Sequence, residues 1–288
     1  MSSVYESVTN KLIEMMESQK KSFPNEEWQA CWNKGFTLPK RACGAYYQGV
    51  NVVSLWAESQ KKGYTMPTWM TYKQASELGG QVRKGEKASQ VIYAASFSKE
   101  KENDAGEKEI INGFAHRAYS VFNVEQIDGL DASFYVAPDK KFINPDCRDD
   151  SLDAIIAATN AKIGHGGSRA FYQPCGDFIQ MPAFEDFRDA SSYYSVMFHE
   201  LTHWTGHESR LNREPSNNNT SFGYAKEELV AELGAAFLCA KLNVSIEPRE
   251  DHAHYLNCYL AVLKSDSKAI FKAAALASKA ADYIALNQ

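Results

Sequence analysis

Two histidines one helical turn apart constrain this chain more than any other feature. His199-Glu200-Leu201-Thr202-His203 lies within the run SSYYSVMFHELTHWTGH. Positions i and i+4 of an α-helix project from one face, so both imidazoles can reach a single ion. Val196, Met197, Phe198, Leu201 and Trp204 surround them with apolar surface, so the motif belongs on a buried helix. This residue set at this spacing suits a zinc ion held by His199 and His203, with Glu200 as general base and then acid. A fold that accommodates it must bring a third ligand from another element and leave a fourth position open.

Three residues are candidates for that third ligand: His207, Glu228 and Glu232. The spacing H-E-x-x-H-x-x-G resembles the metzincin pattern as far as Gly206. That pattern's third His, however, would fall at position 209, which is Ser209. Glu228 and Glu232 lie in YAKEELVAELGAAF, where Leu229, Val230, Leu233 and Phe237 alternate with Ala231, Gly234, Ala235 and Ala236. So many small residues allow another helix to approach closely. Two carboxylates one turn apart on a helix fit for burial call for a cation or a cationic partner. H-E-x-x-H followed by E-x-x-x-[DE] on a second helix resembles the Glu-ligated zincins. That resemblance implies Glu228 as ligand and Glu232 as the residue that orients a ligand imidazole. Glu227 is expected to point away into solvent. Tyr224, His207, His254 and Tyr255 are candidates for steadying a developing oxyanion. DFIQMP, just before the motif helix, is a candidate edge strand for an extended peptide.

The first half has a different character. The formal charge of −5 over 288 residues argues against nucleic acid when taken whole, but it averages two unlike halves. Residues 1–130 carry 16 Lys/Arg and 15 Asp/Glu, residues 131–288 carry 15 and 21, and residues 20–98 alone carry 11 and 5. Four of the five tryptophans lie before position 70. Within this stretch Lys40, Arg41, Tyr46, Trp69, Lys73, Arg83, Lys84 and Lys87 interleave cations with rings. Such a combination is what a groove for single-stranded nucleic acid needs. Gly79-Gly80 and Gly85 mark turns with accessible backbone N–H groups.

Periodicity predicts helices over 4–19, 48–61, 72–79 and 151–163, and again near 187–206, 224–242, 250–264 and 267–286. SQVIYAASF and EIINGFAHRAYSVFNV read as a long β-hairpin with the charged tip SKEKENDAGEKE, and RAFYQPCGDFIQMPA as a shorter one around Pro174-Cys175-Gly176-Asp177. The expected class is α+β. A mixed first domain over 1–130 and a linker over 131–150, rich in Asp and Pro, precede a helix-rich domain with a small sheet over 151–288. The six cysteines form no C-x-x-C pair, so neither a Cys-rich zinc site nor a disulfide framework is expected. No run is apolar and long enough to cross a membrane, and the first residues lack the pattern of a secretory signal. A cytoplasmic protein is expected.

Taken together, these motifs carry a family resemblance. Leu38-Pro39, Tyr46, Gly49-Val50-Asn51, Trp69-Met70-Thr71-Tyr72-Lys73-Gln74-Ala75 and Gly79-Gly80-Gln81-Val82-Arg83-Lys84-Gly85-Glu86-Lys87 resemble the first domain of ArdC-type antirestriction proteins. That domain also resembles one found in plasmid-borne primases. Met181-Pro182, His199 to His207, Arg210-Leu211 and Tyr224 to Glu232 extend the resemblance through the second half. It implies a single-stranded-DNA-binding domain joined to a zincin-like metallopeptidase domain with Zn2+, or alternatively Mn2+ or Co2+. The implied role is protection of incoming plasmid or phage DNA, with a protein of the host restriction system as possible substrate. The family's Trp- and Pro-rich opening is here SFPNEEWQACWNKGFTLP, where Glu26 and Glu27 would weaken binding locally. Two alternatives stand beside this reading: a non-catalytic DNA-coating protein with a structural metal, and a general cytoplasmic metallopeptidase.

Overall fold

The computed structural model describes residues 4–22, 37–102, 108–137, 143–213, 221–244 and 252–286. Trp28, Trp32, Glu26 and Glu27 lie outside them. The first half begins with α1 (Val4–Ser22), whose Val8, Leu12 and Met16 recur at helical spacing and are buried. It continues through β1 (Lys40–Arg41), α2 (Val50–Lys62), β2 (Thr68–Met70), α3 (Tyr72–Glu77) and β3 (Gln81–Val82). The expected hairpin forms from β4 (Ser89–Glu102) and β5 (Lys108–Asn123). They pair antiparallel without a break from Ser89↔Val121 to Glu102↔Lys108. The main sheet has the order β1-β2-β5-β4, and β3 pairs separately with β6 (Ile127–Asp128). Sequence periodicity misses β1, β2, β3 and β6 because strands of two or three residues hold no full alternation.

Helix α2 locks onto the outer edge of β4. The Asn51 amide accepts from the Ile92 N–H and donates to the Ile92 carbonyl, both at 2.7 Å, as a neighbouring strand would. Seven residues on, the buried Glu58 pairs with Lys11 of α1 and accepts from Ser89 of β4.

The second half contains α4 (Asp150–Ala158), β7 (Lys162–His165), β8 (Phe171–Gln173), β9 (Phe178–Met181), α5 (Ala190–Trp204), α6 (Ser221–Leu242), α7 (His252–Ser265) and α8 (Ala269–Leu286). Two expectations need correction. The helix expected to run to 163 stops at Ala158: the Thr159 hydroxyl bonds back to the Ile156 carbonyl, and Asn160 adopts φ 56°. A left-handed residue ends an α-helix, and Asn tolerates that conformation better than most side chains. The freed segment becomes β7. The second correction concerns β9, the DFIQMP strand. It lies in the middle of the order β7-β9-β8, with a partner on each side, so it offers no edge to a peptide.

One contiguous apolar core runs through both halves. It includes Leu12 of α1, Val53 and Trp56 of α2, Met197 and Leu201 of α5, Leu233 and Phe237 of α6, and Ile270 and Ile284 of α8. The Trp56 and Phe237 rings sit 5.7 Å apart, and Gly49 N–H donates to Ser278 Oγ at 2.9 Å. A smaller core forms around Met70, Ala75, Val82, Val124, Ile127 and Leu130.

Candidate metal centre

Helix α5 carries His199, Glu200 and His203, and α6 crosses it with Glu228. Gly234 permits the approach, since a Cβ there would lie 2.5 Å from Thr202 Cγ2. The two imidazole Nε2 atoms are 3.1 Å apart. His199 Nε2 lies 3.5 Å, and His203 Nε2 3.4 Å, from oxygens of Glu228. A tetrahedral ion with bonds of roughly 2.0–2.1 Å needs donors spaced roughly 3.3–3.4 Å apart, so the residues fit such an ion. Among the described residues, His199, His203 and Glu228 form the one cluster of three candidate ligands.

The electrostatics point the same way. Burial opposes charge on His203, but Glu227 and Glu228 outweigh it and raise the imidazole to about 10. Burial likewise opposes ionisation of Glu228, yet His199 and His203 hold its carboxyl far below the usual range. The site therefore favours ionised acids and demands positive charge. Glu200, next to His199 in the chain, is 4% exposed, and its carboxylate adds to the pull on His203.

Each imidazole also faces a carboxylate with its other nitrogen. His199 Nδ1 lies 3.4 Å from Glu232, the residue expected to orient a ligand, without a hydrogen bond between them. His203 Nδ1 lies 3.4 Å from Glu227, which corrects the expectation that Glu227 faces solvent. Glu227 in turn accepts from Arg213 Nη2 at 2.7 Å. The close approach of α6 could have pointed to Glu227, whereas no periodic signal leads to Arg213.

Arg210 closes the end of α5. It donates to the Trp204 carbonyl, lies 3.9 Å over the Trp204 ring, and holds Asp177 with bonds of 3.0 and 2.5 Å. It thereby ties the β8–β9 turn to α5. His207, the alternative ligand, bonds Ser209 through Nδ1 and does not join the cluster. Tyr224 is exposed one turn before Glu228, while the side chains of His254 and Tyr255 lie outside the described residues.

The basic and aromatic candidates of the first half divide into three groups. Lys84 and Lys87 are exposed, as are Tyr46, Lys73, which reaches Glu77 at 3.6 Å, and Arg41, whose guanidinium lies over the Tyr47 ring. Lys40 is half-buried on β1. Trp69 is instead committed to the fold, and Arg83 is exposed but ion-paired. Trp69 is 1% exposed and meets Tyr64 edge-on, so its ring offers no face to a base. Arg83 bonds Asp128 and Glu86, both at 3.0 Å, and so braces β3 against β6. The sequence reading overlooked Tyr93 and Tyr119. They are 53% and 43% exposed, 6.4 Å apart, on one face of the hairpin beside Arg117. The alternation Val91-x-Tyr93 was the available signal.

Residues 2–122 match the N-terminal domain of anti-restriction factor ArdC, and residues 150–276 match a zincin-like metallopeptidase. The crystal structure of antirestriction ArdC protein from the R388 plasmid, metal-free, is similar at TM-score 0.85 and 40% identity, over 99% of this chain and 98% of that one. The Mn(II)-bound structure of the R388 protein matches at TM-score 0.81 and 39% identity, over the same shares. The uncharacterised protein y4eC of Sinorhizobium fredii is 36% identical over 99% of this chain and 92% of its own length. DNA primase TraC of Escherichia coli is 35% identical over 97% of this chain, which spans only 27% of the primase.

Proposed function

Because the chain belongs to the ArdC family of antirestriction proteins, we propose that it protects incoming plasmid or phage DNA from host restriction, as a cytoplasmic protein. In this reading residues 1–130 bind single-stranded DNA and residues 151–288 carry a metal-dependent peptidase site. The observation that carries the second half is the spacing of His199, His203 and Glu228, which fits a tetrahedral ion. The two-nitrogen, one-oxygen donor set suits zinc, and the Mn(II)-bound relative supports a divalent cation more broadly.

His199, His203 and Glu228 would hold the cation, with Glu232 and Glu227 fixing the imidazoles through their other nitrogens. When bound, the cation would supply Lewis acidity, which would polarise a carbonyl and ease deprotonation of water. Glu200 takes a proton from water and delivers it to the departing amine, and its burial strengthens each electrostatic contact it makes. The closed α5–α6 packing keeps these groups in place. In the first half, Lys84, Lys87, Arg41 and Lys40 would track phosphates, with Tyr46, Tyr93 and Tyr119 offering ring faces.

A second reading is favoured by the likeness to a DNA primase: the site is structural, and protection comes from coating the strand. Glu200→Gln separates the two. It keeps the three ligands and removes the base. The peptidase reading expects loss of substrate cleavage with metal retained, and cleavage by the variant at the wild-type rate would refute it.

A further inference from the structure

We infer that Arg213 is a positioning residue for His203, acting through Glu227, and that Gly206 is glycine to make room for it. The inference rests on reading His199, His203 and Glu228 as a metal centre.

The Arg213 side chain is 3% exposed. Its Nη1 donates to Thr205 Oγ1 and its Nη2 to the Thr202 carbonyl, each at 2.6 Å. Carbonyls at a helix C-terminus lack intrahelical donors and carry the negative end of the helix dipole, so a guanidinium is well matched to them. The same Nη2 donates to Glu227 Oε1 at 2.7 Å, and that oxygen is the one facing His203 Nδ1. One planar cation thus grips the end of α5 and the wall of α6 at once, at the height of His203. A carboxylate held from behind by a guanidinium keeps one orientation. The imidazole it faces then keeps one ring angle, with Nε2 aimed at the Glu228 carboxylate.

Gly206 supports this from an independent direction. It is not among the residues with positive φ, so backbone freedom does not explain it. A Cβ there would lie 2.8 Å from Arg213 Nη2 and 3.0 Å from the His203 carbonyl. Any side chain at 206 displaces the guanidinium. The glycine three residues past the second His serves clearance here.

The test measures Zn2+ affinity by chelator competition and the visible absorption of the Co2+-substituted protein. It compares wild type with Glu227→Gln, Arg213→Met, Gly206→Ala, the double variant Glu227→Gln/Arg213→Met, and His203→Ala. Partners of this kind typically contribute about 10–100-fold in metal affinity. Glu227→Gln and Arg213→Met should each lose affinity in that range and shift the Co2+ bands. The double variant should bind about as weakly as the weaker single one, because the residues act as a unit. Should Arg213→Met fail to fold, Gly206→Ala paired with Glu227→Gln gives the same comparison. Wild-type affinity in Glu227→Gln, or losses that multiply in the double variant, overturn the inference. If His203→Ala keeps stoichiometric metal, the metal-centre reading itself fails and the inference falls with it. If His203→Ala loses metal while Glu227→Gln binds normally, only the positioning role fails.

Discussion

Gly234 of α6 faces Thr202 of α5 with no space between them for a methyl group: a Cβ at 234 would meet Thr202 Cγ2 at 2.5 Å and Oγ1 at 2.6 Å. This contact sets the separation of the two helices and hence the reach of Glu228 to the imidazoles. Thr202 cannot yield easily. It is fully buried, stiff at Cβ, and bonded to the Phe198 carbonyl. Gly234→Ala should gain up to about 1 kcal/mol of helix propensity. Overpacking typically costs about 1–3 kcal/mol, so the net sign is destabilising. Urea unfolding should show a lower midpoint, and metal affinity should fall with it.

The β8–β9 turn should detach from α5 in acid. Arg210's bonds to Asp177 lower its carboxyl pKa, with burial opposing and Tyr172 assisting. A carboxylate whose folded pKa is depressed contributes stability that is complete above its unfolded value, near 3.9, and is lost as pH falls through the folded value. Asp177→Asn keeps a residue that tolerates the φ of 46°. The stability difference between wild type and this variant should be constant above about pH 5 and shrink below about pH 4, as read from denaturant midpoints across pH.

Single-stranded DNA affinity should fall steeply with salt, with a logarithmic slope of about 0.7 per phosphate contact. Lys84→Ala and Lys87→Ala should each reduce that slope without changing base preference. A flat response to salt would remove the phosphate-tracking groove from the account.

Tyr93 and Tyr119 should behave differently from Trp69. Tyr93→Ala and Tyr119→Ala should weaken strand binding by about 1–3 kcal/mol each if a base stacks there, with thermal stability nearly unchanged. Trp69→Ala empties a core position and should lower stability by about 3–5 kcal/mol. Fluorescence-detected binding beside thermal melts distinguishes the two classes.

The features legible in the sequence are those written locally. The i, i+4 histidines place α5, the small-residue pattern of α6 anticipates its close approach to α5, and the alternation around a charged tip gives the β4–β5 hairpin. Features decided by distant partners were not legible. Arg83 stays exposed and gains Asp128, 45 residues away, as an ion-pair partner that no local pattern shows. Trp69 looks like a stacking platform until β2 is buried between β1 and β5. Glu227 looks solvated until Arg213 arrives from a loop without periodicity. Strand β7 hides because a helical pattern runs into it and only Asn160 marks the break.

The central claim is that α5 and α6 together hold one divalent cation through His199, His203 and Glu228. Metal analysis of the purified wild type beside Glu228→Ala tests it most directly. The account predicts about one ion per chain in the wild type and loss of stoichiometric metal in the variant, with the variant still folded. A folded Glu228→Ala protein that keeps its full complement of metal would contradict it.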